Sequence, residues 1–254
     1  MLTPGLVSVT FRPLSKEEIC ERMETCGLTV IEWGGDVHVP SDSPQDIADA
    51  CSLSAAHGIR TVAYGSYWRA GDLSEASHEK FRQELGCARA LGAKTVRVWA
   101  GTKGSGDCSA DERQAVVATL QDACRGAANS GLTVSLECHG GTLTDDCDSA
   151  LRLVDEVAMD ALRLYWQPNQ YRDHRYNVDT LRRTLPYVSN VHVFSWEGAT
   201  HHPLVTHTDR WQEYIEILSG SGRDHNLLLE FMHNDSPAQL PIDSAVLRDW
   251  VEGK

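Results

Sequence analysis

No apolar run in the chain approaches the ~20 residues that a membrane-spanning helix needs, which excludes an integral helical membrane protein. The first residues, Met1-Leu-Thr-Pro-Gly-Leu-Val7, carry no basic segment followed by an apolar core, so no secretory leader is expected. Clustered Lys and Arg are also missing. With 23 basic and 36 acidic residues the formal net charge is −13, the wrong sign for a nucleic-acid partner. The eight cysteines form neither a CxxC pair nor a zinc-finger spacing. Cys20, Cys26, Cys51, Cys87 and Cys124 fall within helix-like segments, and reduced, packed thiols in a cytoplasmic protein are the expected state. No GxGxxG follows the first strand-like run, and no segment is rich enough in Pro or Ser to be a linker. A single domain over residues 1–254 is expected.

What is present is a regular alternation. Strand-like runs occupy Leu6–Phe11, Thr29–Trp33, Arg60–Tyr64, Thr95–Trp99, a stretch from Thr133, Leu162–Gln167, Val188–Phe194 and Leu227–Phe231. Helical patterns follow each of them, at Lys16–Cys26, Pro44–His57, Ser77–Leu91, Ala110–Asn129, Thr144–Val157, Val178–Leu185, Asp209–Leu218 and Ala238–Val251. Ser15 with Glu18 reads as a capping box, and Gly27 as the stop of the first helix. Eight strands, each followed by a helix, is the count of a (β/α)8 TIM barrel of the α/β class. The longest loops, Gly34–Ser43, Gly65–Ala76, Gly101–Ser109, Pro168–Asn177 and Ser195–Thr208, all follow strands, on the face where barrels carry chemistry.

Charges interrupt the strand tips. In Thr133-Val-Ser-Leu-Glu-Cys-His-Gly-Gly141, Glu137 and His139 share one face at the point where the strand ends in glycine. Leu227-Leu-Leu-Glu-Phe-Met-His233 is an apolar run broken by Glu230, and a charge inside such a run costs several kcal/mol unless paired. Alternation gives the inward residues as Glu32, Tyr64 with Ser66, Arg97 with Trp99, Glu137 with His139, Gln167 with Asn169, His192 and Glu230. Glu32 and Arg97 can form one internal ion pair, with Arg97 as a substrate ligand the alternative. Glu137, His192 and Glu230 then lack a cation, which points to a divalent metal. An oxygen-rich site with one imidazole suits Mn²⁺, Mg²⁺ or Co²⁺, with zinc as the alternative. Trp33, Trp68, Trp99, Trp166 and Trp196 cluster at strand ends and adjoining loops. They offer aromatic faces for sugar C–H surfaces or, alternatively, packing under the loops. His139, Lys103 and Arg69 are candidates to orient substrate hydroxyls.

Several stretches resemble the xylose-isomerase-like barrels, the superfamily holding sugar and sugar-phosphate isomerases and epimerases together with the AP endonucleases. They are Gly27-Leu-Thr-Val-Ile-Glu-Trp-Gly-Gly-Asp36 with His38, Ala90-Leu-Gly-Ala-Lys94, Leu136-Glu137, Val191-His192-Val193 and Leu229-Glu230. The resemblance implies metal ligands on strands five to eight, here Glu137, Gln167, His192 and Glu230, with Glu137 and Glu230 as the proton-transferring pair. The family pattern has Asp where Gln167 stands, and charged residues after the histidine where this chain has Val193-Phe194-Ser195-Trp196. The implied activity is isomerisation or epimerisation of a sugar, keto-sugar or polyol derivative through an enediolate. A lyase or dehydratase on a keto-sugar or inosose is one alternative, and an inactive sugar-binding barrel another. DNA repair is disfavoured by the net charge and by Gln167, Gln170 and Tyr64. No glycine-rich nest with Lys or Arg follows strands seven and eight, so an unphosphorylated carbohydrate is the expected substrate. A homo-oligomer is in keeping with the family.

Overall fold

The computed structural model describes residues 1–253. Eight parallel strands close into a barrel: β1 (Leu2–Val7), β2 (Val30–Gly34), β3 (Arg60–Arg69), β4 (Thr95–Trp99), β5 (Thr133–Glu137), β6 (Leu162–Trp166), β7 (Val188–Val193) and β8 (His225–Leu229). β1 joins β8, pairing Leu2 with His225, and each other strand pairs with its sequence neighbours. Helices α1 (Lys16–Thr25), α2 (Pro44–Ala56), α3 (Glu75–Ala90), α4 (Ala110–Asn129), α5 (Cys147–Val157), α6 (His174–Thr184), α7 (Thr208–Gly220) and α8 (Leu240–Glu252) surround it. The (β/α)8 expectation is met. A two-stranded ribbon, Trp196–Glu197 with Thr200–His201, rises from the loop after β7.

Local chemistry accounts for most boundaries. The α1 capping box forms as expected, with Ser15 and Glu18 each satisfying the other's backbone N–H, and Ser109 with Glu112 repeats it on α4. α5 starts later than the apolar pattern suggests because Asp146 accepts from the Asp148 and Ser149 N–H groups. α6 starts earlier, capped by Asp173. The largest shift is in β1. Pro4 and Gly5 are poor strand formers, so propensity favours Leu6–Phe11, yet barrel closure draws residues 2–7 into the ladder and leaves Ser8–Phe11 as a 3₁₀ turn. Gly5 suits that position because a Cβ there would lie 2.3 Å from the Val30 carbonyl oxygen.

The main core lies between strands and helices, and a smaller cluster fills the barrel itself. That inner cluster comprises Val7, Val9, Val30, Val62, Ala63, Tyr165 and Leu228. Opposite it, hydroxyls form a chain: Thr95 Oγ1 lies 2.7 Å from Ser135 Oγ, and Ser135 Oγ 2.9 Å from Ser189 Oγ. One bulge matters for the site. The β2–β3 register skips Val62, pairing Ile31 with Thr61 and Glu32 with Ala63. The skip turns Gly65 inward, under Glu32 and Arg97, and turns Tyr64 outward.

Tyr64 is therefore not a barrel-interior residue as strict alternation predicts. Its hydroxyl donates to the Val39 carbonyl, and its ring packs in the outer core. At Gly65 a Cβ would lie 2.5 Å from Glu32 Oε1 and 2.7 Å from Arg97 Nη2. Gly65→Ala should lower stability by about 1–3 kcal/mol, the usual cost of overpacking. Thermal denaturation checks this, and an unchanged midpoint contradicts the close approach.

Candidate active site at the barrel mouth

Five ionisable side chains from five strands meet at the C-terminal mouth: Glu32, Arg97, Glu137, His192 and Glu230. Each is at most 6% exposed. Arg97 spans two of the carboxylates, its Nε donating to Glu32 Oε1 at 2.7 Å and its Nη1 to Glu137 Oε2 at 2.5 Å. Trp99 Nε1 donates to the same Glu137 oxygen at 2.5 Å. One Glu137 oxygen is thus doubly held, and the other lies 3.9 Å from His192 Nδ1. That nitrogen is also 2.7 Å from Gln167 Oε1 and 3.3 Å from Glu230 Oε2. Glu230 is the last residue before the chain bends sharply. Phe231 adopts φ 41°, a costly conformation for an aromatic residue, and its carbonyl accepts from Trp196 Nε1 at 2.9 Å.

The electrostatics separate the carboxyls. Burial pushes the Glu32 acid upward, but Arg97 overrides it and holds the group down at about 2. Glu137 is likewise drawn below its ordinary value by Arg97 against the effect of burial. Glu230 has no such clamp. Burial, reinforced by the neighbouring Glu137 charge, pushes it up to about 7 although His192 and Arg97 pull the other way. His192 is lowered by burial and raised by Glu230, Glu32 and Glu137, and the carboxylates prevail.

Glu137, His192 and Glu230 offer ligand atoms that all lie within 4.8 Å of one another. Ionised, the cluster has three carboxylates against one guanidinium, an excess of two negative charges in a dry interior. A divalent cation would cancel it. Carboxylate oxygen, amide oxygen and imidazole nitrogen are the donors a hard or borderline cation takes, so the residues fit such an ion.

The mouth opens into a cavity of about 320 Å³ lined by Glu137, His139, Gln167, Trp196 and Glu230, among others. A larger cavity, about 660 Å³, adjoins it and is lined by Tyr67, Trp68, Arg69, Lys80 and Lys103, among others, but holds none of the clustered carboxylates. The smaller one has the chemistry. His139 stands exposed on its rim, its ring 5.6 Å from that of Trp99. Arg69 lies over the other aromatic partner, its guanidinium 3.7 Å from the Trp99 ring centre. Trp196 stacks between Phe194 and His201.

Other expected substrate contacts lie elsewhere. Trp33 follows inward Glu32 on β2, so it points outward, where Nε1 donates to Ser54 of α2. Trp166 is buried against Trp211 and Tyr214 for the same reason of alternation. Trp68 bonds to Ser77 and packs on Phe81 of α3, facing the larger cavity. Lys103 is exposed and paired with Glu112 in that cavity. Arg97 makes the expected pair with Glu32 and a second with Glu137, which the sequence reading missed. Tyr165 was missed too, although it shares a strand face with Gln167. Its ring lies 4.6 Å from that of His192.

Residues 20–250 match the family described as xylose isomerase-like TIM barrel. The chain belongs to this family. Over 124 residues it is 31% identical to a 3-dehydroshikimate dehydratase of Bacillus anthracis, covering 46% of this chain and 42% of that protein, less than half its length. Among solved structures it superposes on a probable 3-DHS dehydratase involved in petrobactin synthesis from Bacillus anthracis, with a TM-score of 0.81 and 22% identity over 98% of this chain and 99% of the other. An L-ribulose 3-epimerase shares the fold at a TM-score of 0.77 and 16% identity, covering 100% of this chain and 95% of the other. Family members thus include epimerases and a dehydratase.

Removing the shared cation exposes two buried carboxylates to each other. Arg97→Met should therefore cost about 3–5 kcal/mol, the usual result of breaking a buried pair from one side. Urea denaturation measures it. A loss under about 1 kcal/mol with activity abolished would make Arg97 a substrate ligand instead.

Proposed function

We propose that this protein is a divalent-cation-dependent enzyme that removes a proton from the carbon beside the carbonyl of a small, unphosphorylated polyhydroxylated ketone. The observation that carries this reading is the charge excess at the mouth, three buried carboxylates and His192 against the single cation Arg97. Glu137, Gln167, His192 and Glu230 would hold the ion, whose contribution is to polarise a substrate carbonyl and bind the negative charge that develops on its oxygen. Glu230, free of the Arg97 clamp, is the residue proposed to take the proton. His139 and Arg69 stand at the rim where substrate hydroxyls would lie, and Trp99 and Trp196 supply the aromatic walls. The free thiols found throughout the described residues are in keeping with a reducing, cytoplasmic setting.

Proton removal leaves an enediolate with two fates. Return of the proton to another position or face gives isomerisation or epimerisation, whereas departure of a neighbouring hydroxide, protonated as it leaves, gives a dehydrated product. One observation favours the second fate. Epimerisation needs a carboxylate on each face of the carbon, and Glu137 is tied through one oxygen to Arg97 and Trp99, leaving Glu230 as the free member of the pair. The dehydratase relative agrees with this choice of reaction.

Proton NMR in deuterium oxide tests the reading, using protein supplied with Mn²⁺ or Mg²⁺ and a panel of 3-dehydroshikimate, ketoses and inososes. Loss of water gives new olefinic or aromatic signals, and epimerisation gives deuterated epimers. Absence of both, and of any exchange at the carbon beside the carbonyl, contradicts the proposal. Glu230→Gln should stay folded and lose turnover by at least about 100-fold, the usual contribution of a general base. Gln167→Asp adds a third ligand charge and should tighten cation binding in calorimetry. Equal affinity in the two proteins would remove Gln167 from the ligand set.

A further inference from the structure

Just beneath the candidate metal centre, Glu32 Oε2, Tyr165 Oη and His192 Nε2 are buried without a hydrogen-bond partner. Two are potential donors and one is an acceptor. His192 Nε2 lies 3.9 Å from Glu32 Oε2, too far for a hydrogen bond but with the polarity to make one. The Tyr165 ring packs on the His192 ring at 4.6 Å, and the Tyr165 hydroxyl helps to hold Glu32 ionised without reaching full hydrogen-bond geometry. Glu32 cannot swing away, because its other oxygen is tied to Arg97 Nε at 2.7 Å.

On the metal-centre reading above, we infer that Glu32 is a positioning residue for His192, accepting the Nε2 proton and so presenting the Nδ1 lone pair to the cation. The two imidazole nitrogens face opposite environments. Nδ1 faces Gln167, Glu230 and Glu137, the other donors of the candidate site, while Nε2 faces Glu32 alone. Without a cation, Nδ1 can carry a proton and donate it to Gln167 Oε1. Once Nδ1 gives its lone pair to a cation, the imidazole keeps its proton on Nε2, directed at the Glu32 carboxylate. The opposite tautomer would set a nitrogen lone pair against a buried carboxylate oxygen, with no donor between them. Arg97 completes the arrangement, because the guanidinium that fixes Glu32 behind His192 also fixes Glu137 through its outer oxygen. A single ion pair thus aligns two ligands from below. Carboxylate partners of this kind orient a metal-binding histidine and raise its basicity.

Glu32→Gln tests the assignment, because its amide places an N–H where the carboxylate accepted one. The full-length protein, stripped of metal, is titrated with Co²⁺ by calorimetry, and circular dichroism confirms that the variant is folded at the assay temperature. Affinity for Co²⁺ should fall by about 10–100-fold relative to wild type. Equal affinity in folded variant and wild type overturns the proposal. A second measurement needs no variant: nitrogen-15 NMR of wild type loaded with Mg²⁺ should find the His192 proton on Nε2. A proton on Nδ1 overturns the proposal even if Glu32→Gln fails to fold. Wild type that takes up no Co²⁺ would remove the metal centre itself, an outcome distinct from a metal centre that ignores Glu32.

Discussion

Everything at the mouth of this barrel depends on one guanidinium. Arg97 is 2% exposed and holds Glu32 on β2 and Glu137 on β5 at once. A buried ion pair adds little net stability over apolar packing, but breaking it from one side is costly, so the cluster is tightly constrained. That constraint selects its surroundings. β3 must present Gly65 under the pair, the bulge at Val62 supplies the register that does so, and the barrel is filled by aliphatic side chains only on its β1, β2, β3 and β8 side. Arg97 covers one excess charge and no more. The residual charge is what makes the mouth a reactive centre instead of a structural plug.

The two candidate catalytic carboxylates therefore differ in kind although both are glutamates at strand ends. Glu137 accepts from Arg97 and Trp99 and stays ionised, as expected of a fixed ligand. Glu230 sits at a strained bend with only His192 close by, and burial leaves it readily protonated. Pairs of acids pushed apart in this way are how one site performs both proton removal and proton delivery near neutral pH. The family holds enzymes that epimerise and an enzyme that dehydrates, and both chemistries begin with the same proton transfer. What a given member does next is decided by the groups above the mouth, here the exposed His139, Arg69 over Trp99, and the Trp196 ribbon.

Much of this was legible in the residue pattern. Alternation of apolar runs with capped helices gave the barrel, and charges inside apolar runs singled out Glu137 and Glu230 because burying them demands a partner. Glu32 with Arg97 was readable for the same reason. What could not be read were features set by more than one segment. The bulge that turns Tyr64 outward arises from pairing between β2 and β3, and the extent of β1 is decided by closure against β8. Trp33 and Trp166 lie beside inward residues, so alternation itself places them in the helix layer, and their position at strand ends was misleading. The second bond of Arg97, to Glu137, depends on side-chain reach across the barrel, which no local spacing encodes. Tyr165 was within reach of the pattern, one alternation before Gln167, but an aromatic on a strand face gives no sign that its hydroxyl meets a carboxylate.

The account turns on whether the charge excess at the mouth is balanced by a bound ion. The most direct measurement is anomalous diffraction from crystals grown with Mn²⁺ or Co²⁺, recorded at the absorption edge of the ion. A single strong peak enclosed by Glu137, Gln167, His192 and Glu230 is the predicted result. A mouth without an anomalous peak, in protein shown to be folded and exposed to excess ion, would contradict it.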